Sequence, residues 1–234
     1  MIKISLTLVF YFISIISSSI CLADTDSNVA LVLTPAWENK YVTEGRDNLE
    51  SGGLYSFEIS TSWQHLNFGS WFAHGDSESY QEINFYIEYG FEIHSLESYL
   101  SFTRLIFPKE NEEDNEVAIG INYSELVYIT PAIDYTWSSN ADGAFLELSL
   151  SSQLDFQQSQ IVITPYILQA FDFGYVTASH NGPNNLQVGI RTRININSYV
   201  HFDLDFNHSW AQEDIQQENM GDITWFGMSL ILNI

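Results

Sequence analysis

The sequence predicts an all-β fold, an antiparallel up-and-down transmembrane β-barrel of about twelve strands. Three observations predict it. Apolar and polar residues alternate with period two along nearly the whole chain. The connections alternate between tight turns and longer polar loops, the layout of an outer-membrane barrel. The last stretch, ITWFGMSLILNI, places Phe226, Met228, Leu230, Leu232 and Ile234 on one face, with no polar tail after them. In a closed barrel the last strand pairs with the first, so such an end has a partner.

The chain opens with MIKISLTLVFYFISIISSSICLAD. Lys3 supplies a positive start, an apolar stretch runs from Leu6 to about Ile16, and Ala23 precedes Asp24. This is the layout of a cleaved export signal over residues 1–23, with a single barrel domain over 24–234. The apolar core is short for a membrane-spanning helix, which takes ~20 residues. Cys21 is the only cysteine and falls in this leader, so the exported chain has no thiol for disulfides or metal.

Removing Lys3 from 7 basic residues leaves 6 against 30 acids, a net charge of −24. That excludes nucleic acid as a partner, which needs clustered Lys and Arg. It also excludes docking on anionic headgroups by a basic face. With 45% hydrophobic and 15% aromatic residues, the chain is not a solvated polymer.

Strands are expected at about 29–38, 54–63, 66–73, 81–93, 97–107, 116–123, 127–138, 143–155, 160–171, 186–196, 200–210 and 223–234. In EINFYIEYGFEI, Ile83, Phe85, Ile87, Tyr89, Phe91 and Ile93 share a face opposite Glu82, Glu88 and Glu92. A helix would scatter these residues around its circumference. The stretches AFLELSLSSQLDF and YVHFDLDFNHSW separate in the same way. Tight links such as QH and NSY alternate with polar ones such as PKENEEDN and QEDIQQENMGD. Pro35, Pro131 and Pro165, each preceded by Thr, fall inside expected strands. Proline cannot donate to a ladder, so each requires a bulge or a local break in pairing.

A secreted carbohydrate-binding β-sandwich also alternates. It would mix Lys with Glu on its outer faces, whereas the polar faces here carry Ser, Thr, Asn, Gln, Tyr and Glu with almost no Lys. Trp37, Trp63, Trp71, Tyr135, Trp137, Trp210 and Trp225 lie near strand ends, as in the aromatic girdles of a bilayer interface.

If the apolar rows face lipid, the polar rows line the lumen. The lumen candidates are Glu58, Glu82, Glu88, Glu92, Asp134, Glu147, Asp155, Asp203 and Asp205, with Arg191, Arg193 and Arg104 opposing them. Acidic side chains ringing a pore favour cations. The expected function is therefore a porin-like passive channel for small neutral or cationic solutes. The alternative within this fold is a non-conducting structural or adhesin barrel. A three-residue turn at Asn197-Ser198-Tyr199 sets Arg193 opposite Asp203 and Arg191 opposite Asp205. Each such pair is worth ~0.2–1 kcal/mol.

The run ENEEDNE places Glu110, Glu112, Glu113, Asp114 and Glu116 within seven residues. It reads as a solvated loop, or as a weak calcium or magnesium site bridging to lipopolysaccharide phosphates. It lacks the spacing of an EF-hand. No G-x-S-x-G, H-E-x-x-H or phosphate loop is present, and Asn207, His208 and Ser209 fall on alternate faces of a strand, so no enzyme is expected. No cofactor is implied.

The stretches ENKYVTEGRDNLESGGLYSFEIS and EINFYIEYGFEI, in which a strand meets a Gly-containing loop and then a Gly-Leu-Tyr strand, resemble the TorF-type porins of bacterial outer membranes. The likeness covers about the first half of the exported chain. That family has an aromatic-Arg-Gly step in the first loop, from which Thr43-Glu44-Gly45-Arg46 departs. The resemblance implies a small outer-membrane barrel and carries over no catalytic or binding residue. The last strand is similar to the signal read by the barrel assembly machinery, although such signals end in Phe or Trp and this one in Ile234. The partners expected are that machinery, outer-membrane lipid and lipopolysaccharide, in the bacterial outer membrane.

Overall fold

The computed structural model describes residues 30–49, 51–156, 158 and 160–234. The expected leader and Cys21 lie outside the described residues. In chain order the elements are β1 (Ala30–Glu38), β2 (Val42–Thr43), β3 (Arg46–Asp47), β4 (Leu54–Trp63), β5 (Leu66–Gly75), β6 (Gln81–Ile93), β7 (Leu96–Phe107) and β8 (Glu112–Tyr123). There follow β9 (Thr130–Ser138), β10 (Gly143–Ser151), β11 (Leu154–Phe156), β12 (Ile161–Phe173), β13 (Asn181–Asn195), β14 (Val200–Ala211), α1 (Glu213–Gln217) and β15 (Ile223–Asn233).

Twelve of these strands close a ring in which each pairs antiparallel with its neighbours. The seam is β1 against β15, Leu33 opposite Leu232 and Trp37 opposite Met228. The short β11 pairs only with β12 and stands outside the ring, and β2 and β3 form a small hairpin between β1 and β4. Closure leaves none of the twelve ring strands as a free sheet edge, which is what a hydrocarbon environment demands. A sandwich of two stacked sheets is therefore not the architecture.

The period-two reading sets the faces. Tyr55, Phe57 and Ile59 of β4, Phe85, Ile87 and Tyr89 of β6, and Phe226 and Met228 of β15 are all exposed on the outside. Their alternates point into the ring. Trp63 and Trp210 lie outward near opposite rims, consistent with interfacial girdles. Trp71 and Trp225 depart from that expectation. They face inward and are 4% and 6% exposed, because their positions share parity with Glu58 and Asn207, their cross-strand partners.

One rim carries tight turns. Gln64 and His94 begin two-residue turns with φ of 56° and 59°, the left-handed backbone that short hairpins require. No Gly or Asn marks these two turns in the sequence. The β8–β9 link on this rim, expected to be tight, spans 124–129, and the β10–β12 interval is wider still. The opposite rim carries the connections after β1, β5, β7, β9, β12 and β14, of which 108–111 and 139–142 are short.

Four expected boundaries shift by three residues or more. β9 starts at Thr130 rather than 127, and β13 starts at Asn181 rather than 186. The acidic run is strand from Glu112 onward rather than loop. The expected strand 143–155 stops at Ser151, and its continuation becomes β11. The three prolines sit where ladders break. The β1–β15 ladder skips Thr34 and Pro35, β8–β9 ends at Ala132 beside Pro131, and β10–β12 ends at Tyr166 beside Pro165. Each proline keeps its pairing on the other side, opposite Phe57, Leu150 and Ile190 respectively.

The barrel interior as candidate functional site

Strand register brings the polar rows together inside the ring. Glu58 of β4, Glu82 and Glu88 of β6, Asp134 of β9, Glu147 of β10, and Asp203 and Asp205 of β14 all occupy inward positions, alternating with the exposed apolar residues. Arg191 and Arg193 of β13 share that face. Arg193 stands opposite Asp203 and Arg191 opposite Asp205, the register that the three-residue turn dictates. Arg193 Nη2 donates to Asp203 at 2.7 Å, and Arg191 Nε donates to Asp205 at 2.9 Å.

Three expected positions move. Glu92 is inward but exposed at the turn rim, one residue from the end of β6. Asp155 lies in β11, outside the ring, and is exposed. Arg104 lies on the outer face, opposite Phe85, where it bonds Glu113 and Asn115. The parity that turns Leu100 and Phe102 outward turns Arg104 outward too.

The acidic run divides between faces. Asp114 and Glu116 are buried inward, while Glu112 and Glu113 are exposed and Glu110 lies in the preceding loop. Asp114 accepts from Ser138 and from the backbone N–H of Asn140, so it organises the β9–β10 connection. Among the described residues, no group of three His, Cys, Asp or Glu side chains is arranged to hold a metal ion. Along β8 the acids alternate, so Glu113 takes the outer face while Asp114 and Glu116 take the inner one.

The interior differs between its two halves. Toward the turn rim, Glu58, Glu88, Asp134, Arg191 and Asp205 are half-buried. Tyr86, Tyr99 and Tyr166 lie along the wall there, each directly opposite a glycine: Gly69, Gly120 and Gly189. Each reaches one strand further with its hydroxyl. Tyr86 donates to Glu58, Tyr99 donates to Asp134 at 2.7 Å, and Tyr166 hydrogen-bonds Asn207 at 2.7 Å.

Toward the loop rim the interior is filled. Residues 39–49 of the β1–β4 connection fold inward as a strap. Its Tyr41 and Leu49 pack with Trp71, Tyr80, Leu105 and Phe107 in one buried cluster, and Tyr41 donates to Glu82 at 3.3 Å. At its tip Arg46 is 5% exposed. Its guanidinium donates to Asp214 and Glu218 around α1, to Asn184 of β13 (2.8 Å each), and to the carbonyl of Glu44. The fork geometry of arginine suits this multiple anchorage. Gly45, at φ +72°, lets the backbone press against α1: a Cβ there would lie 2.8 Å from Ile215 Cδ1. Burial pushes the Glu44 carboxyl well above its usual range, against the opposing effects of Thr43 and Arg46. From across the ring Tyr175 packs on Phe145 and donates to Glu116 at 2.5 Å. The carboxylate of Asp172 collects the N–H groups of Tyr175, Val176 and Thr177.

Sequence reasoning missed this strap and its anchors. Arg46, Asp214 and Tyr175 sit in connections without periodicity, and Asp172 lies at the loop end of β12, beyond the expected strand 160–171. The only trace was the Glu44-Gly45-Arg46 departure in the first loop. Asn207 and Ser209 face inward and His208 outward, on alternate faces as the strand requires.

No protein-family model and no curated protein sequence matches the chain. Solved structures do. The KdgM porin in complex with disordered oligogalacturonate aligns with a TM-score of 0.59 at 7% identity, over 88% of this chain and 99% of that one. The NanC porin aligns at 0.56 and 7%, over 87% and 100%. An outer membrane channel from Pseudomonas putida F1 aligns at 0.53 and 7%, over 91% and 97%. The chain has the fold of a small outer-membrane β-barrel. At these identities the likeness concerns fold alone.

Proposed function

We propose that the protein is a porin-like passive channel of the bacterial outer membrane that favours small cations and neutral solutes over anions. The observation that carries this is the charge balance of the inward rows. Glu58, Glu88 and Asp134 have no basic partner among their hydrogen bonds, whereas Arg191 and Arg193 are engaged by Asp205 and Asp203. Carboxylates left over after pairing set a negative potential along the path. Similarity to barrels named as porins and a channel supports the channel class. The specificity is this chain's own.

The test is reconstitution into planar bilayers under a potassium chloride gradient. The expected reversal potential has the sign of cation preference, and a sign reporting anion preference overturns the reading. The filled loop-side half favours a second reading, a barrel held closed by its strap. Bilayers that stay silent with the native chain but conduct after Arg46→Ala identify that state.

A further inference from the structure

Gly69, Gly120 and Gly189 are not turn residues. They sit within β5, β8 and β13, where glycine weakens a strand. Each faces inward and lies directly opposite a tyrosine. A Cβ built on Gly69 would stand 2.2 Å from Tyr86 Cζ, one on Gly120 2.0 Å from Tyr99 Cε1, and one on Gly189 2.4 Å from Tyr166 Cε1. The rings therefore occupy the space that side chains would have taken. The hydroxyls confirm the pose, since each crosses its glycine to reach the strand beyond: Glu58, Asp134 and Asn207. One arrangement thus occurs three times, over β4–β6, β7–β9 and β12–β14.

An upright tyrosine projects across a lumen, whereas one lying over glycine covers the wall. We propose that Gly69, Gly120 and Gly189 are the bore-setting positions of the channel, notches that recess Tyr86, Tyr99 and Tyr166 and keep the turn-side lumen clear. This rests on the channel reading above. At Gly69 the three nearest atoms all belong to the Tyr86 ring, and at the other two notches ring atoms share the space with the Asp134 or Asn207 side chain. In each case an added methyl meets the far end of side chains and not a backbone, so the ring yields by swinging inward while the strand holds. Pore diameter then falls, and with it conductance and the size of solute admitted.

The experiment compares native protein with Gly69→Ala, Gly120→Ala and Gly189→Ala in planar bilayers and in liposome swelling with neutral polyethylene glycols. Each variant should lower conductance by roughly two-fold and lower the size limit, and Gly69→Ala/Tyr86→Ala should restore both. Heat-modifiable gel mobility verifies that each variant is folded. A second readout does not depend on conduction. With fluorotyrosine incorporated, the Tyr86 resonance should shift in Gly69→Ala and hold still in Ser149→Ala, an inward change on β10, four strands from β6. A silent native barrel whose fluorine signals shift as stated counts against the channel reading and leaves the notches standing. Folded variants with native conductance and an unmoved Tyr86 signal overturn the notches.

Discussion

A few side chains bind the interior together, and their energetics are individually testable. Arg193→Ala would strand Asp203, which is 4% exposed, without its charged donor. Leaving a buried acceptor unsatisfied costs roughly 1–3 kcal/mol. The expected outcome is a lower unfolding midpoint in urea with folded detergent micelles, and Asp203→Asn in the same background should recover part of it. Glu44 gives a pH prediction. Its carboxyl is raised in the docked strap by burial, so the docked form holds the proton more tightly than a free strap does. Docking is at full strength below the ordinary value of 4.5, and it weakens as pH climbs from there through the raised value. Hydrogen exchange over residues 41–48, corrected for intrinsic rates, should quicken with pH in the native chain. In Glu44→Gln it should stay flat.

At the level of elements, the strap and the strands were unequally legible. The strands were readable because a ring with lipid outside and polar groups inside enforces alternation at every residue. The Arg193–Asp203 register followed from turn length alone. The start of β8 was not readable, because Glu112–Glu116 lacks an apolar row and looks solvated until Asp114 is seen serving the next connection. The strap was hidden for a different reason. Residues 39–49 pack by particular partners around Arg46, and no period announces such packing. Arg46→Ala should release it. Exchange over residues 41–48 should rise strongly at every pH, while the barrel strands stay protected. Arg46→Lys, which keeps charge but loses the fork, should fall between.

The molecule as a whole is a closed wall with its two halves built differently. A closed barrel should migrate as a compact species on gels until heated, and the strap variants should not change that. Pro35→Val should complete the skipped stretch of the β1–β15 ladder and raise the temperature of the mobility shift by a few degrees, consistent with one added backbone hydrogen bond. The prolines have a directional consequence. The β8–β9 and β10–β12 ladders both give out before the turn rim, and the β1–β15 ladder is interrupted midway. Near the other rim, Arg46, Asp172 and Tyr175 cinch the ring from within. Under heat or pulling force, unzipping should begin at the end where the first and last strands meet, and the loop-side collar should be the last part to let go.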